Sequence, residues 1–166
     1  MNALSKGEKT QLALVGAVCA EPDLLILDEP TSGLDPIVRR EFIQTVIGAY
    51  QEAAPGRRTV FVSTHLITEF EGLIDEFTIL DNGKETLTLE ADEARSRFKK
   101  IRARFAGAAP VLDFVSTKNV RREGRELEIT VNGDAESVLN RIKSLTPESV
   151  AMEGLTLEEI FVATLA

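Results

Sequence analysis

Along the first half of the chain the apolar residues fall into two alternating kinds of group, one spaced like a helix face and one unbroken. Ser5 and Glu8 have the spacing of a capping box, which predicts a helix opening just after Ser5 and continuing through Leu12, Leu14, Val15, Val18 and Cys19. Leu24 to Leu27 is a run of four apolar residues without alternation, the pattern of a strand buried on both faces of a parallel sheet. Asp28 and Glu29 follow, and Pro30, which cannot donate to a ladder, ends the strand. Thr31, Ser32 and Gly33 predict a tight turn into a helix with Asp35 as its cap and Pro36 at its first position. Ile37, Val38, Phe42, Ile43, Val46 and Ile47 carry that helix toward the breaker Pro55-Gly56. Thr59 to Ser63 is then a second strand, short and rich in β-formers.

The later pattern is different. A helix through Leu66, Phe70, Leu73 and Ile74 leads to a strand, Phe77 to Leu80, and Asn82-Gly83 predicts a type I′ hairpin turn before a return strand from Glu85 to Leu89. From Glu90 a short helix, Asp92 to Arg97, precedes Lys100 to Phe105, where charge alternates with apolar residues as in a half-exposed strand. Further strands are expected near Val111 to Ser116, Asn119 to Glu123, Glu126 to Val131 and Ser149 to Glu153, with a helix from Asp134 to Lys143. Thr156 and Glu159 form a second capping box, opening a helix whose Leu157, Ile160, Phe161 and Leu165 make one apolar face. Helix and strand alternate first, and a small α+β unit follows.

Composition narrows the class. A chain of 166 residues, 43% hydrophobic and 28% charged, has the make-up of a globular protein. Its longest nearly apolar run, Leu12 to Ala20, is far short of the roughly 20 residues that span a bilayer. The single Cys19 cannot make an internal disulfide and is expected to be a small core residue. Through Leu89 there are 7 Lys/Arg against 14 Asp/Glu, and from Glu90 onward 12 against 13. An acidic first segment argues against a nucleic-acid track. The change near Glu90 is taken as the domain boundary, giving 1–89 and 90–166. The basic cluster Arg95, Arg97, Lys99, Lys100, Arg102 and Arg104 is expected to find cross-strand partners in Glu126 and Glu128.

Candidate chemistry sits at the strand ends, where ligands of open α/β sheets lie. Asp28 can hold a hard cation such as Mg²⁺, and Glu29 can orient or deprotonate a water that attacks a phosphate. His65, the sole histidine, stands at the end of the second strand. Gly7 is unexplained by capping, since it costs up to about 1 kcal/mol against alanine in the first helical turn. A glycine beside a hydroxyl at a helix start lets an anion approach the bare amides.

Leu24 to Asp35 resembles the Walker B motif and D-loop of the ATP-binding cassette (ABC) ATPases, and Leu4-Ser5-Lys6-Gly7-Glu8 resembles their signature motif, usually Leu-Ser-Gly-Gly-Gln. His65 matches the histidine of the H-switch, and Leu-Thr-Leu-Glu-Glu-Ile-Phe near the end is similar to the accessory C-terminal domain of ABC-2 type exporters. The resemblance implies an α/β fold: the C-terminal half of a P-loop NTPase (RecA-like) parallel-sheet domain, residues 1–89, followed by a small α+β accessory domain, residues 90–166. It implies ATP and Mg²⁺ as ligands, Asp28 at the metal, Glu29 and His65 as catalytic groups, and Ser5, Gly7, Glu8, Ser32 and Asp35 along a head-to-tail dimer seam.

No Gly-x-x-x-x-Gly-Lys-[Ser/Thr] loop occurs in the 166 residues. The expectation is therefore a truncated or split subunit, with Met1 an internal start, inactive alone for want of the phosphate cradle. Expected partners are the missing N-terminal half of the domain, a second nucleotide-binding subunit and a transmembrane permease, with no nucleic acid. The permease would hold it on the cytoplasmic face of the cell membrane. The alternatives are a non-catalytic dimerisation or regulatory remnant, and an ABC-type protein acting on nucleic acid or ribosomes. Lacking its central P-loop strand, the first strand is expected to present an open edge and apolar faces that need cover.

Overall fold

The structure is a computed structural model that describes residues 4–51, 58–112 and 117–165. The breaker Pro55-Gly56 and most of the strand expected over 111–116 lie outside those residues, while Val111 and Leu112 are irregular. The chain divides into two compact units, residues 1–73 and 74–166.

The first unit is a parallel α/β arrangement. It runs α1 (Lys6–Cys19), β1 (Leu24–Asp28), α2 (Pro36–Gln51), β2 (Thr59–Ser63) and α3 (Ile67–Phe70). β1 and β2 pair in parallel, in register from Leu24 with Thr59 to Asp28 with Ser63. Ser5 accepts from the Glu8 amide and Glu8 reaches back to the Ser5 amide, so the capping box forms as read from the sequence. Asp35 caps α2 by accepting from the amides of Ile37 and Val38 at 3.0 and 3.1 Å. Leu14, Leu34, Phe42 and Val46 make the buried core, with Leu27 and Val60 packed on it from the sheet. α3 is shorter than the helical spacing suggests. The chain turns at Leu73, whose amide bonds Phe70 O, one residue after Gly72, a poor helix former.

Two expectations fail here and one holds. β1 is not buried on both faces: Leu24 is 53% and Ile26 65% exposed, while Leu25 and Leu27 are half-buried. Among the described residues the strand thus has the open edge and uncovered apolar face expected in the absence of a P-loop strand. Side chains alternate across a strand, and only one face of this two-stranded sheet meets the core of α1 and α2. Phe61 of β2, 58% exposed, faces solvent in the same manner. Cys19 is exposed at the end of α1 rather than in the core.

The second unit is antiparallel. β3 (Glu76–Asp81) and β4 (Lys84–Glu90) form a hairpin with Asn82 and Gly83 at φ 49° and 74°, the left-handed values a type I′ turn requires. α4 (Ala91–Arg97), β5 (Phe98–Arg104), β6 (Thr117–Glu123), β7 (Glu126–Asn132), α5 (Ala135–Lys143), β8 (Ser149–Gly154) and α6 (Leu157–Leu165) follow. The sheet order is β6-β7-β5-β8. One face carries Ile101, Ala103, Leu127 and Ile129 against Val138, Leu139 and Ile142 of α5. The hairpin clusters with this unit, where the Ala91 amide bonds Asp75 O, so the physical division precedes the compositional change at Glu90.

The basic cluster is largely engaged within the unit. Arg102 lies opposite Glu128 and pairs with both Glu128 and Glu153 at 2.8 Å. Arg97 bonds Asn132, Arg95 pairs with Asp92, and the buried Lys100 pairs with Glu159 of α6. Glu159 also closes the capping box with Thr156. The Lys100 ammonium holds the Glu159 carboxyl below its usual range. On α6 the buried positions are Leu157, Ile160 and Ala163, whereas Leu165 is 42% exposed.

Candidate functional site at the strand ends

Parallel pairing in register brings the carboxyl ends of β1 and β2 side by side, so Asp28-Glu29 and Ser63-Thr64-His65 meet there. The Glu29 amide donates to Ser63 O at 2.8 Å, continuing the ladder one residue past β1. Glu29 itself adopts φ 43°, a left-handed backbone that costs a non-glycine residue about 1–2 kcal/mol. Pro30 follows, and the Ser32 amide bonds back to Glu29 O at 3.1 Å, closing a turn. A second turn overlaps it, Leu34 amide to Thr31 O at 3.2 Å, with Gly33 at φ 73°.

The Glu29 carboxylate is gripped by the segment after β2. Its Oε1 accepts from the His65 amide at 3.1 Å and lies 2.8 Å from His65 Nδ1, while Thr64 Oγ1 donates to Oε2 at 3.4 Å. Asp28 takes a different partner, accepting from the Ser63 hydroxyl. Glu29 is partly and His65 largely exposed, so both can meet a ligand from solvent. With Nδ1 engaged by the carboxylate, Nε2 is the ring nitrogen left for another partner.

Ser5, Gly7 and Glu8 fall elsewhere in the unit. With Gln11, Gly33, Leu34, Asp35 and Val38 they line an open cleft of about 370 Å³ between the start of α1 and the start of α2. Ser32 is exposed on the turn that joins this cleft to Glu29. A Cβ on Gly7 would meet Leu34 Cδ2 at 3.7 Å and Val38 Cγ1 at 4.0 Å, ordinary contacts, so nothing within the unit requires glycine there. The Glu8 carboxyl is held below its usual range, first by the Ser5 amide and then by the Ser5 hydroxyl.

Three further residues support the site through contacts that the sequence does not announce. Thr31 is fully buried, and its hydroxyl donates to Glu69 Oε2 at 2.7 Å. Arg39 pairs with the other oxygen of Glu69 and also donates to Leu34 O at 3.2 Å. The partners are 30 and 38 positions apart, so no local spacing could announce them.

Among the described residues no group of three or more His, Cys, Asp or Glu could enclose a metal ion. Asp28 beside the Ser63 hydroxyl offers hard oxygen donors of the kind that suit Mg²⁺, an ion that keeps waters and is held by one or two carboxylates plus substrate phosphates.

Comparison with known proteins found the following similarities. A family model described as "AAA domain, putative AbiEii toxin, Type IV TA system" matches residues 1–71. The bacitracin transport ATP-binding protein BcrA of Bacillus licheniformis is 36% identical over 96 residues, 58% of this chain and 30% of that protein. The energy-coupling factor transporter ATP-binding protein EcfA2 of Mycoplasma genitalium is 41% identical over 49% of this chain and 25% of its own length. The daunorubicin resistance ATP-binding protein DrrA3 of Streptomyces coeruleorubidus is 30% identical over 95% of this chain and 52% of its own length. One solved structure, described as the ATP-binding subunit of an ABC transporter, is 31% identical over 56% of this chain and 37% of that one, with a TM-score of 0.48. The chain thus spans between a quarter and about half the length of these curated relatives. The relatives that match this chain, one of them along almost its whole length, are of one kind, ABC transporter ATP-binding proteins.

Proposed function

We propose that the chain supplies the hydrolytic end and the partner-facing helix start of an ABC-type ATPase subunit that drives a membrane permease. The observation that carries this reading is the contact of Glu29 with His65 at the ends of two adjacent parallel strands. In this role Glu29 orients and deprotonates the attacking water, and His65, positioned through Nδ1, presents Nε2 to the γ-phosphate. Asp28 holds Mg²⁺, which neutralises charge on the β- and γ-phosphates when bound.

The second cleft serves a second subunit. Ser5 Oγ accepts from the Glu8 amide through a lone pair, and its exposed O–H, which also favours the Glu8 carboxylate, can turn to donate to a partner's γ-phosphate. Gly7, unneeded by its own unit, allows that phosphate a close approach to the helix start. Glu8 stands where the common motif has glutamine, and its charge makes it a poor phosphate contact; its part is the capping box that exposes the amides. Ser32 and Asp35 line the seam of the head-to-tail dimer.

The remaining partners are a polypeptide with a Walker A loop, which supplies the phosphate cradle, and a transmembrane permease that holds the subunit on the cytoplasmic face of the membrane. No helix among the described residues is long and apolar enough to cross a membrane itself. The apolar side chains of Leu24, Ile26 and Phe61 give the first of these partners a surface to cover.

The test is Mg-ATP hydrolysis by the chain alone and mixed with a polypeptide carrying the Walker A loop. Alone it shows no turnover; the mixture does, and Glu29→Gln removes it while ATP binding persists. A mixture that binds ATP without any turnover sensitive to Glu29 would leave a non-catalytic dimerisation or regulatory role.

A further inference from the structure

The turn from Thr31 to Leu34 is tied to the segment that follows β2 at a point separate from the Glu29–His65 contact. Glu69 on α3 accepts from the buried Thr31 hydroxyl with one oxygen and from Arg39 with the other, and Arg39 in turn donates to Leu34 O. One carboxylate thereby holds a side chain at the start of the turn and, through a guanidinium, the backbone at its end. The Glu69 side chain is only 13% exposed, so solvent screens this pair less than a surface ion pair. Arg39 Nε is buried without a hydrogen-bond partner among the described residues, so the guanidinium is held through its terminal nitrogens.

The element that carries Glu69 cannot hold itself. α3 has four residues, far below the length at which an isolated helix persists in water. It starts two residues after His65, and the Leu66 amide before it bonds Thr64 Oγ1, the group that also reaches Glu29. Whatever anchors α3 therefore anchors the backbone of His65. The anchors in the structure are the buried Phe70 and the Glu69 clamp.

We propose that Glu69 is a positioning residue that locks the Thr31–Leu34 turn to the His65 segment. A displacement at Ser32 or Asp35 is then transmitted to the imidazole opposite Glu29, and the reverse. The functional meaning of the lock rests on the ATPase reading above, but the lock is a property of this unit and is testable without nucleotide.

His65 is the sole histidine, so its ring resonances are a single, unambiguous NMR probe. The variants are Thr31→Val, which removes the donor and keeps the shape, Glu69→Ala, and Glu69→Gln, which keeps an acceptor oxygen. Thr31→Val and Glu69→Ala shift the His65 ring signals in the same direction and raise amide exchange at Leu34 and His65 together, by about tenfold. Glu69→Gln falls between them and the unsubstituted chain, and the double variant Thr31→Val with Glu69→Ala goes no further than Glu69→Ala alone, because both act on one contact. Should Glu69→Ala fail to fold, Thr31→Val and Glu69→Gln give the same decision. The proposal is overturned if the His65 signals of folded variants superimpose on those of the unsubstituted chain while only Leu34 exchanges faster. That outcome beside turnover sensitive to Glu29 would remove the lock and leave the ATPase reading; coupled shifts without turnover would do the opposite.

Discussion

In the second unit a four-stranded sheet has one face filled by α5 and is tied to α6 through Lys100 and Glu159. In the first unit a sheet of two strands leaves Leu24, Ile26 and Phe61 in solvent, over a core built on Leu14, Leu34, Phe42 and Val46. Both units follow the same rules of capping and alternation, yet the apolar face of the second unit's four-stranded sheet is covered and one apolar face of the first unit's sheet is open, although Leu80, Val162 and Leu165 of the second unit are exposed too. The difference teaches where the chain expects company. The open faces, the unforced Gly7 and the open cleft all belong to the unit with Glu29 and His65, whereas the charged ladder of the second unit is paired internally.

The largest effect separating the units should come from their cores. Phe42→Ala removes a side chain that is 2% exposed, at a cost of about 3–5 kcal/mol. In the thin first unit that loss abolishes its unfolding transition, and hydrogen exchange shows 4–51 unprotected while 98–104 and 126–132 stay protected. Ile160→Ala, of the order of 2–5 kcal/mol at a position 0% exposed, should spare the first unit instead. If either substitution melts both units together, the division is not energetic.

Acid combined with one substitution should distinguish the units next. The Glu159 carboxyl is held below its usual value by Lys100, so its contribution to stability is complete above the unfolded value, about 4.3. It is lost as the pH falls through the lower folded value. Glu159→Gln should flatten that part of the curve in the second unit, read as denaturation midpoints from pH 6 to pH 3. Asp134, lowered first by the Ser137 hydroxyl and then by its amide, and Glu8 in the first unit titrate in the same sense.

Gly7→Ala is expected to stabilise the isolated first unit by up to about 1 kcal/mol, since its Cβ meets only ordinary contacts. The same change should weaken turnover in the proposed head-to-tail dimer, if the Gly7 position faces the partner's phosphate there. Smallest of all, Phe61→Ser should alter stability by no more than about 0.5 kcal/mol, because the ring is already exposed. It should nonetheless lower self-association in sedimentation and impair recruitment of the Walker A polypeptide. A large loss of stability would mean the ring is covered within the unit.

Much of this was legible because it is local. Ser5 with Glu8, Thr156 with Glu159, Asp35 before Pro36 and Asn82-Gly83 each name their structure within a few residues, and all four form. The Arg102–Glu128 pairing followed from alternation in two strands. The burial of Leu24 to Leu27 did not, because an apolar run states what a strand can bury and not whether a neighbour is present to bury it. Cys19 misled for the same reason, as its helix has apolar residues on faces that nothing in the unit covers, Leu12 and Val15 among them. Thr31, Arg39 and Glu69 left no trace because their contacts join elements distant in sequence.

The central claim is that Glu29 and His65 act on one phosphate as one device, and a double-mutant cycle on ATP turnover tests it most directly. In the chain assembled with a Walker A polypeptide, Glu29→Gln and His65→Ala should each reduce turnover by about 10²–10³-fold. Together they should reduce it little further, since groups in contact that share one task are not additive. Turnover that survives Glu29→Gln, or losses that simply multiply in the double variant, would contradict the account.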